Sequence, residues 1–343
     1  MPKFPVLPFW VIGLLFSLIL SGCNAPSPEP QRQAFYVFGT VVNVELYADD
    51  PKTGNQAIHQ VEQRFQRFNR EWHAWEQGGL VSKINQAIAQ KKPVEVPANV
   101  KAFILKSQKL NEESLGYFDP GIGTLIALWG FHADSWQGPP PSLQAIKNYL
   151  KNPPSIADLY FQGNLLYSKN PNVSLDFGGN AKGLALDIAM QTLKNSGIEN
   201  AIVNIGGDMR VMGEKPNGEP WRIGIQDPLN PEGKPIEVVA LKGDASIVTS
   251  GTYQRYYQWQ GQSFSHLLNP KTGYPIDHEG RHFVSVTVIH PDATTADAAA
   301  TALIVAGPNH WQAVAKRMGI AQAMLIDNEG RIFTTPDFNE QFQ

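Results

Sequence analysis

Polar and apolar residues alternate along Thr40-Val41-Val42-Asn43-Val44-Glu45-Leu46, with Val42, Val44 and Leu46 facing one way and Asn43 and Glu45 the other. That period of two predicts a half-buried strand. The period then lengthens: Ile58, Val61, Phe65 and Phe68 recur at helical spacing, with Gln60, Glu62, Gln63, Arg64 and Arg67 on the remaining arc. A second amphipathic helix is expected around 99–115 through Val100, Phe103, Ile104 and Leu110. A short helix over 143–150 is bracketed by Pro139-Pro140-Pro141 and Pro153-Pro154, and this stretch reads as an excursion and not as a domain boundary. Further on, 182–195 predicts a helix stopped by Ser196-Gly197, Ala201 to Ile205 a buried strand ending in Gly206-Gly207-Asp208, and Phe283 to His290 an alternating strand. Ala296 to Ala306 reads as a helix of small residues ended by Gly307-Pro308. Strands and helices mix without a regular βαβ repeat or any repeat of fixed period, which places the chain in the α+β class.

The amino terminus follows a different pattern. An apolar run from Phe9 to Leu20 follows Lys3 and leads into Leu20-Ser21-Gly22-Cys23, which resembles a bacterial lipoprotein signal. A membrane-spanning anchor is the rival reading, but a span needs about 20 residues. The expected organisation is a signal peptide over 1–22, the lipidated Cys23 with a proline-rich tether to 34, and a globular region over 35–343. The resemblance implies a lipid anchor on the periplasmic side of a bacterial membrane. Cys23 is the single cysteine, so the mature chain is expected to have neither an intramolecular disulfide nor thiolate chemistry. The rest is globular in composition, 42% hydrophobic and 17% charged, and large enough for one big core or two intimate lobes. A net charge of -3 carries no footprint for nucleic acid.

Candidate chemistry sits in glycine-rich and acidic clusters. Asp176-Phe177-Gly178-Gly179-Asn180-Ala181-Lys182-Gly183 precedes a helix, where backbone N–H groups can face an anion and Lys182 can neutralise a phosphate. The plainer reading is a tight turn capped by Asp176. In Asp297-Ala298-Ala299-Ala300-Thr301, the i, i+4 spacing puts a carboxylate and a hydroxyl on one helix face. Hard oxygen ligands of that kind suit Mg²⁺; the plainer reading makes Asp297 a first-turn dipole partner and Thr301 a bystander. His266, just ahead of Asn269-Pro270, is either a general base or a hydrogen-bonded structural residue. The chain has no Gly-x-Ser-x-Gly elbow for a serine hydrolase, and neither a His-x-x-x-His pair nor a cysteine set for zinc.

The order of the clusters says more than any one of them. Phe38-Gly39-Thr40, Gly116-Tyr117-Phe118-Asp119-Pro120, Leu128-Trp129-Gly130-Phe131, the 176–183 turn, Asn204-Ile205-Gly206-Gly207-Asp208, Trp221 to Pro228, Thr249-Ser250-Gly251, Ser265-His266 and Ala296-Asp297 to Thr301 follow one another as in the ApbE family, which the chain resembles from about 35 to 325. The resemblance implies a single large T-fold-like domain with mixed helices and mainly antiparallel sheets. It implies an Mg²⁺-dependent enzyme that moves FMN from FAD onto a threonine or serine of an acceptor protein, forming a phosphoester and releasing AMP. Acceptors in the family are flavoprotein subunits of membrane respiratory complexes, of the NADH:quinone oxidoreductase or Rnf type, with a motif near Asp-Gly-x-Thr-Gly-Ala-Thr.

Carried onto this sequence, the family pattern implies Asp297, Thr301 and the Gly179 carbonyl as metal ligands, and Lys182 beside the phosphates. His266 is the candidate base. Phe38, Trp75, Tyr117, Phe118, Asp119, Asp176 and Leu268 match positions for the flavin and adenosine. The chain departs from the pattern at Phe38, where methionine is usual, at His73-Ala74-Trp75, at Gly79 and at Asn269. An FAD pyrophosphatase would share all these motifs; a non-catalytic FAD-binding lipoprotein is the third reading, and the intact Asp297 and Thr301 pair argues against it.

Overall fold

The computed structural model describes residues 29–338 apart from Asp134, Gln137, Gln254 and Glu279. Its elements run β1 (Gln31–Val37), β2 (Thr40–Tyr47), α1 (Pro51–Trp72), α2 (Leu80–Ala89), β3 (Val94–Glu95), α3 (Ala98–Glu113), α4 (Gly123–Leu128), α5 (Leu143–Leu150), β4 (Leu159–Gln162) and β5 (Leu165–Ser168). Then come α6 (Ala181–Asn195), β6 (Asn200–Ile205), β7 (Asp208–Met212), β8 (Trp221–Ile225), β9 (Glu237–Leu241), β10 (Ala245–Gly251), β11 (Tyr256–Trp259), β12 (Gln262–Ser265), β13 (Phe283–His290), α7 (Ala293–Arg317), β14 (Gln322–Asp327) and β15 (Ile332–Thr334).

The alternating segment at 40–46 is β2, and it turns back on β1 through only two residues, Phe38 and Gly39, with φ of 58° and 69°. Tight hairpins favour that left-handed backbone because it matches the strand twist; glycine adopts it freely and phenylalanine at a cost. Packing holds Phe38 there, with its ring centroid 5.3 Å from Phe65 and 5.9 Å from Phe68. β1 corrects the expected tether over 23–34. The strand begins at Gln31 because Gln31 to Val37 pairs along its whole length with β2. Cys23 and the 1–22 signal lie outside the described residues.

An eight-stranded sheet, antiparallel throughout, grows from this hairpin in the order β1-β2-β6-β7-β10-β13-β14-β15. Both of its faces are covered, so its central strands carry apolar residues on both sides. On one face Val42, Val44 and Leu46 meet Ile58, Val61 and Phe65 of α1 and Leu186 of α6, while Val286 and Val288 meet Ala299 and Leu303 of α7. On the other, Trp221, Ile223 and Val239 of the β8–β9 hairpin cover Val211, Ile247 and Ile289. The small sheet β3-β5-β4 packs with α2 and α3, and the β11–β12 hairpin packs with α4 and α5. Through Ile146, which packs with Leu125, Trp129 and Phe264, the proline-bounded excursion is tied into the domain. Among the described residues no helix is long and apolar enough to cross a membrane.

α7 starts three residues earlier than the small-residue pattern suggests. Asp292 caps it, accepting from Thr295 N at 2.7 Å, so Asp297 lies in the second turn and is no first-turn dipole partner. The break at Gly307-Pro308 is real, with Gly307 at φ 66°, but helix resumes after it and runs to Arg317.

Candidate active site

α6 and α7 lie side by side on the sheet, and glycine makes their close approach possible. A Cβ on Gly183 would overlap the Ala293 carbonyl. Gly183 N instead donates to Asp297 Oδ2 at 2.8 Å. One turn further along α7, Thr301 Oγ1 lies 3.3 Å from Ser250 Oγ on β10. Gly179, just ahead of α6, closes the group: a Cβ there would lie 3.3 Å from both Thr301 Oγ1 and Phe118 Cε2. Gly179, Phe118 and Thr301 therefore meet, one helical turn from Asp297.

Lys182 joins them through a residue to which the sequence reading gave no role. Its Nζ bonds to Asp208 Oδ2, and Asp208 Oδ1 accepts from Thr249 N at 3.1 Å. Asp208 and Asp297 are 2% and 3% exposed, whereas 37% of the Lys182 side chain stays accessible. Burial alone would lower the Lys182 pKa, but Asp208 and Asp297 outweigh it and hold the ammonium above its ordinary value. Burial pushes the Asp297 carboxyl up to about 7; Lys182 opposes that rise and Asp208 and Asp187 add to it.

The 176–183 turn differs from an open anion cradle. Gly178 N is taken by Asp176 Oδ1 at 2.8 Å, Asn180 N and Ala181 N by the Phe177 carbonyl, and Gly183 N by Asp297. The plainer reading of Asp176 holds for that oxygen. Its other oxygen accepts from Trp75 Nε1 at 2.7 Å, which brings two expected flavin-site residues together across 101 positions of sequence.

The remaining candidates are placed more variously. The Tyr117 ring is covered by Lys271 Nζ, 3.7 Å from its centroid, and stacks with His310 at 5.9 Å. Asp119 is spent on backbone amides, with Oδ1 accepting from Gly121 N of its own loop and from the remote Ile156 N at 2.8 and 2.9 Å; burial raises its pKa despite these bonds. Leu268 is a core residue beside Trp129 and Phe264, and Phe38 belongs to the α1 side of the core. His266 Nδ1 lies 2.9 Å from the Arg255 carbonyl. A carbonyl only accepts, so Nδ1 carries the hydrogen and Nε2 keeps its lone pair. Burial pushes this imidazole down to about 4; the bond to the Arg255 carbonyl opposes that fall, and the Arg255 and Lys182 cations add to it.

The family profile described as the ApbE family matches residues 38–325. The chain belongs to the ApbE family. An FAD:protein FMN transferase of Rhodobacter capsulatus is 35% identical over 97% of this chain, which spans 62% of that relative's length. One from Vibrio cholerae is 30% identical over 93% of the chain and 94% of its own length. Among solved structures, the ApbE protein of Thermotoga maritima superposes with a TM-score of 0.83 at 30% identity, over 92% of this chain and all of that one. The apo flavinyl transferase ApbE of Pseudomonas stutzeri gives 0.79 at 28% identity, over 92% and 99%. The α+β architecture with mainly antiparallel sheets is thus an ApbE fold.

The residues of this ApbE-family chain fit the Mg²⁺ that the family implies. Asp297, Thr301 and the Gly179 carbonyl offer oxygen only, the donor set of a hard cation. Among the described residues no three His, Cys, Asp or Glu side chains gather into a metal site. The charges fit too. Lys182, with the Arg255 cation near it, faces the carboxyl groups of Asp208 and Asp297, so a divalent cation added there would leave a net positive field, the sign that suits a diphosphate.

Proposed function

We propose that this chain transfers FMN from FAD to a threonine or serine hydroxyl of an acceptor protein. One observation carries most weight: Gly179 and Lys182 meet Asp297 and Thr301, two pairs remote from each other in sequence, on the α6–α7 seam in a chain whose relatives are FAD:protein FMN transferases. The acceptor oxygen forms a bond to the phosphorus on the FMN side of the diphosphate, the P–O bond to the adenylate breaks, and AMP leaves. The hydroxyl proton goes to Nε2 of His266, which the Arg255 carbonyl orients and which is neutral over the physiological range. Lys182 faces the phosphates and compensates their charge. Asp297, Thr301 and the Gly179 carbonyl would hold Mg²⁺, which would supply charge neutralisation for the phosphate oxygens. The Trp75–Asp176 pair and Phe118 border the space for the planar rings, where aromatic area favours stacking.

The cellular setting is part of the proposal. The lipoprotein-like Leu20-Ser21-Gly22-Cys23 supports a lipid-anchored enzyme on the periplasmic side, acting on flavoprotein subunits of membrane respiratory complexes. The test is incubation of the protein with FAD, with and without Mg²⁺ and an acceptor bearing Asp-Gly-x-Thr-Gly-Ala-Thr, with AMP and flavin products followed by mass spectrometry. Mg²⁺-dependent AMP release coupled to loss of acceptor hydroxyl is the expected result. AMP with free FMN alone would make the chain a pyrophosphatase, and intact bound FAD would make it a binding protein.

A further inference from the structure

The first turn of α7 is gripped by a neighbouring helix. Asp187 on α6 accepts from Ala293 N at 3.1 Å through Oδ1, and from Thr294 N at 3.2 Å and Thr294 Oγ1 at 2.7 Å through Oδ2. A helix leaves its first four amides without an internal partner. Here Asp187 takes two of them and the cap residue Asp292 a third, Thr295 N. From the sheet, Arg210 of β7 pairs with Asp187 Oδ1, so this largely buried carboxylate is both compensated and aimed.

The spacing links this grip to the candidate metal ligands. Asp187 stands four residues after Gly183, and Asp297 four after Ala293, so each pair shares a helix face. The two faces touch at both points: Asp187 at the start of α7, and Gly183 N at Asp297 Oδ2. The rest of α7 around the site is alanine-rich, with Ala298, Ala299, Ala300 and Ala302 fully buried. Small side chains interdigitate little and define rotation weakly, and a slip of one residue would swing Asp297 by about 100°. The directional bonds to Asp187 supply what the alanines lack.

We infer that Asp187, backed by Arg210, is the positioning residue that fixes the rotation and depth of α7 and so presents Asp297 and Thr301 to the metal. This rests on the reading of those two residues as metal ligands. Asp187→Asn keeps one accepting oxygen, turns N–H groups toward donors and removes the charge that faces Arg210. Mg²⁺ binding is measured by titration calorimetry on the full-length protein with FAD, and FAD binding separately by flavin fluorescence in EDTA. The half-saturating Mg²⁺ concentration is expected to rise about 10- to 100-fold, as when other outer partners of metal ligands are lost, while FAD affinity in EDTA is unchanged. Asp292→Ala, which removes a cap of the same helix and the partner of Lys106 without touching α6, is expected to lower the Tm and leave Mg²⁺ affinity unchanged.

Thr294→Val, which deletes one of the three bonds and keeps the Asp187 charge, is expected to weaken Mg²⁺ binding in the same direction and serves if Asp187→Asn does not fold. Wild-type Mg²⁺ affinity in the folded variants would overturn the inference. So would an equal loss of affinity in Asp292→Ala, since Asp187 would then be one helix cap among others. A wild-type protein that binds no Mg²⁺ would overturn the reading of Asp297 and Thr301, and the inference with it.

Discussion

Gly179 and Thr301 approach so closely that a Cβ on the glycine would lie 3.3 Å from the threonine Oγ1. Gly179 has no left-handed backbone, so space and not conformation demands glycine here. Gly179→Ala is therefore expected to fold with a loss of about 1 kcal/mol from overpacking, and to weaken Mg²⁺ binding by pushing the hydroxyl away. Thermal melts with and without Mg²⁺ check both parts, and a variant stabilised by Mg²⁺ as much as wild type would contradict the second.

Thr301→Val preserves shape and deletes one oxygen. Mg²⁺ for half-maximal transfer should rise at least about 10-fold, while FAD binding in EDTA stays at the wild-type level. The neighbouring Ser250 hydroxyl, 3.3 Å away, makes a control, since Ser250→Ala removes the contact and spares the proposed ligand.

The pH dependence of metal binding follows from Asp297. Its carboxyl, raised to about 7 by burial, must give up a proton to bind a cation. Mg²⁺ affinity should accordingly climb with pH up to about 7 and level off above it. His266, depressed to about 4, stays neutral through this range and adds no inflection. Calorimetric titrations from pH 5.5 to 8.5 test this, and an affinity independent of pH would refute the protonated state of Asp297.

Lys182 stands between two buried carboxylates. Lys182→Gln leaves Asp208 and Asp297 facing each other uncompensated. A broken buried pair costs 3–5 kcal/mol, reduced here to about 2 kcal/mol because the lysine is partly solvated. Denaturant unfolding in EDTA should show that loss, and saturating Mg²⁺ should recover much of it.

His266→Ala should slow transfer by about 10²- to 10⁴-fold and leave FAD affinity unchanged. A full transfer rate would remove His266 as the base.

Much of the fold was legible because its strands and helices carry clean periods. The 40–46 alternation became β2, Phe283 to His290 became β13 without change of bounds, and 182–195 became α6 with one more residue. The tether expected to reach 34 failed because Gln31 to Val37 is polar on its exposed edge, which looks like linker until its partner β2 is known. The proposed metal pair, Asp297 and Thr301, has its cue in an i, i+4 spacing. Asp208 and Asp187 were not legible, because each gains its meaning from a partner remote in sequence: Asp208 from Lys182 and Thr249, Asp187 from Arg210 and the start of α7. In hindsight the second had a local cue, the Gly183 to Asp187 spacing that puts a contact glycine and a carboxylate on one helix face. Tyr117 and Asp119 sit inside a matching motif, yet a lysine covers the ring of one and the carboxylate of the other is spent on backbone amides.

The most direct test of the central claim is the mass of an acceptor carrying Asp-Gly-x-Thr-Gly-Ala-Thr after incubation with FAD, Mg²⁺ and either wild-type protein or Asp297→Ala. The account predicts that wild type adds one FMN through a phosphoester to the threonine, located by peptide fragmentation, and that Asp297→Ala adds none while still folded. An acceptor left unmodified by wild type, or modified equally by Asp297→Ala, would contradict it.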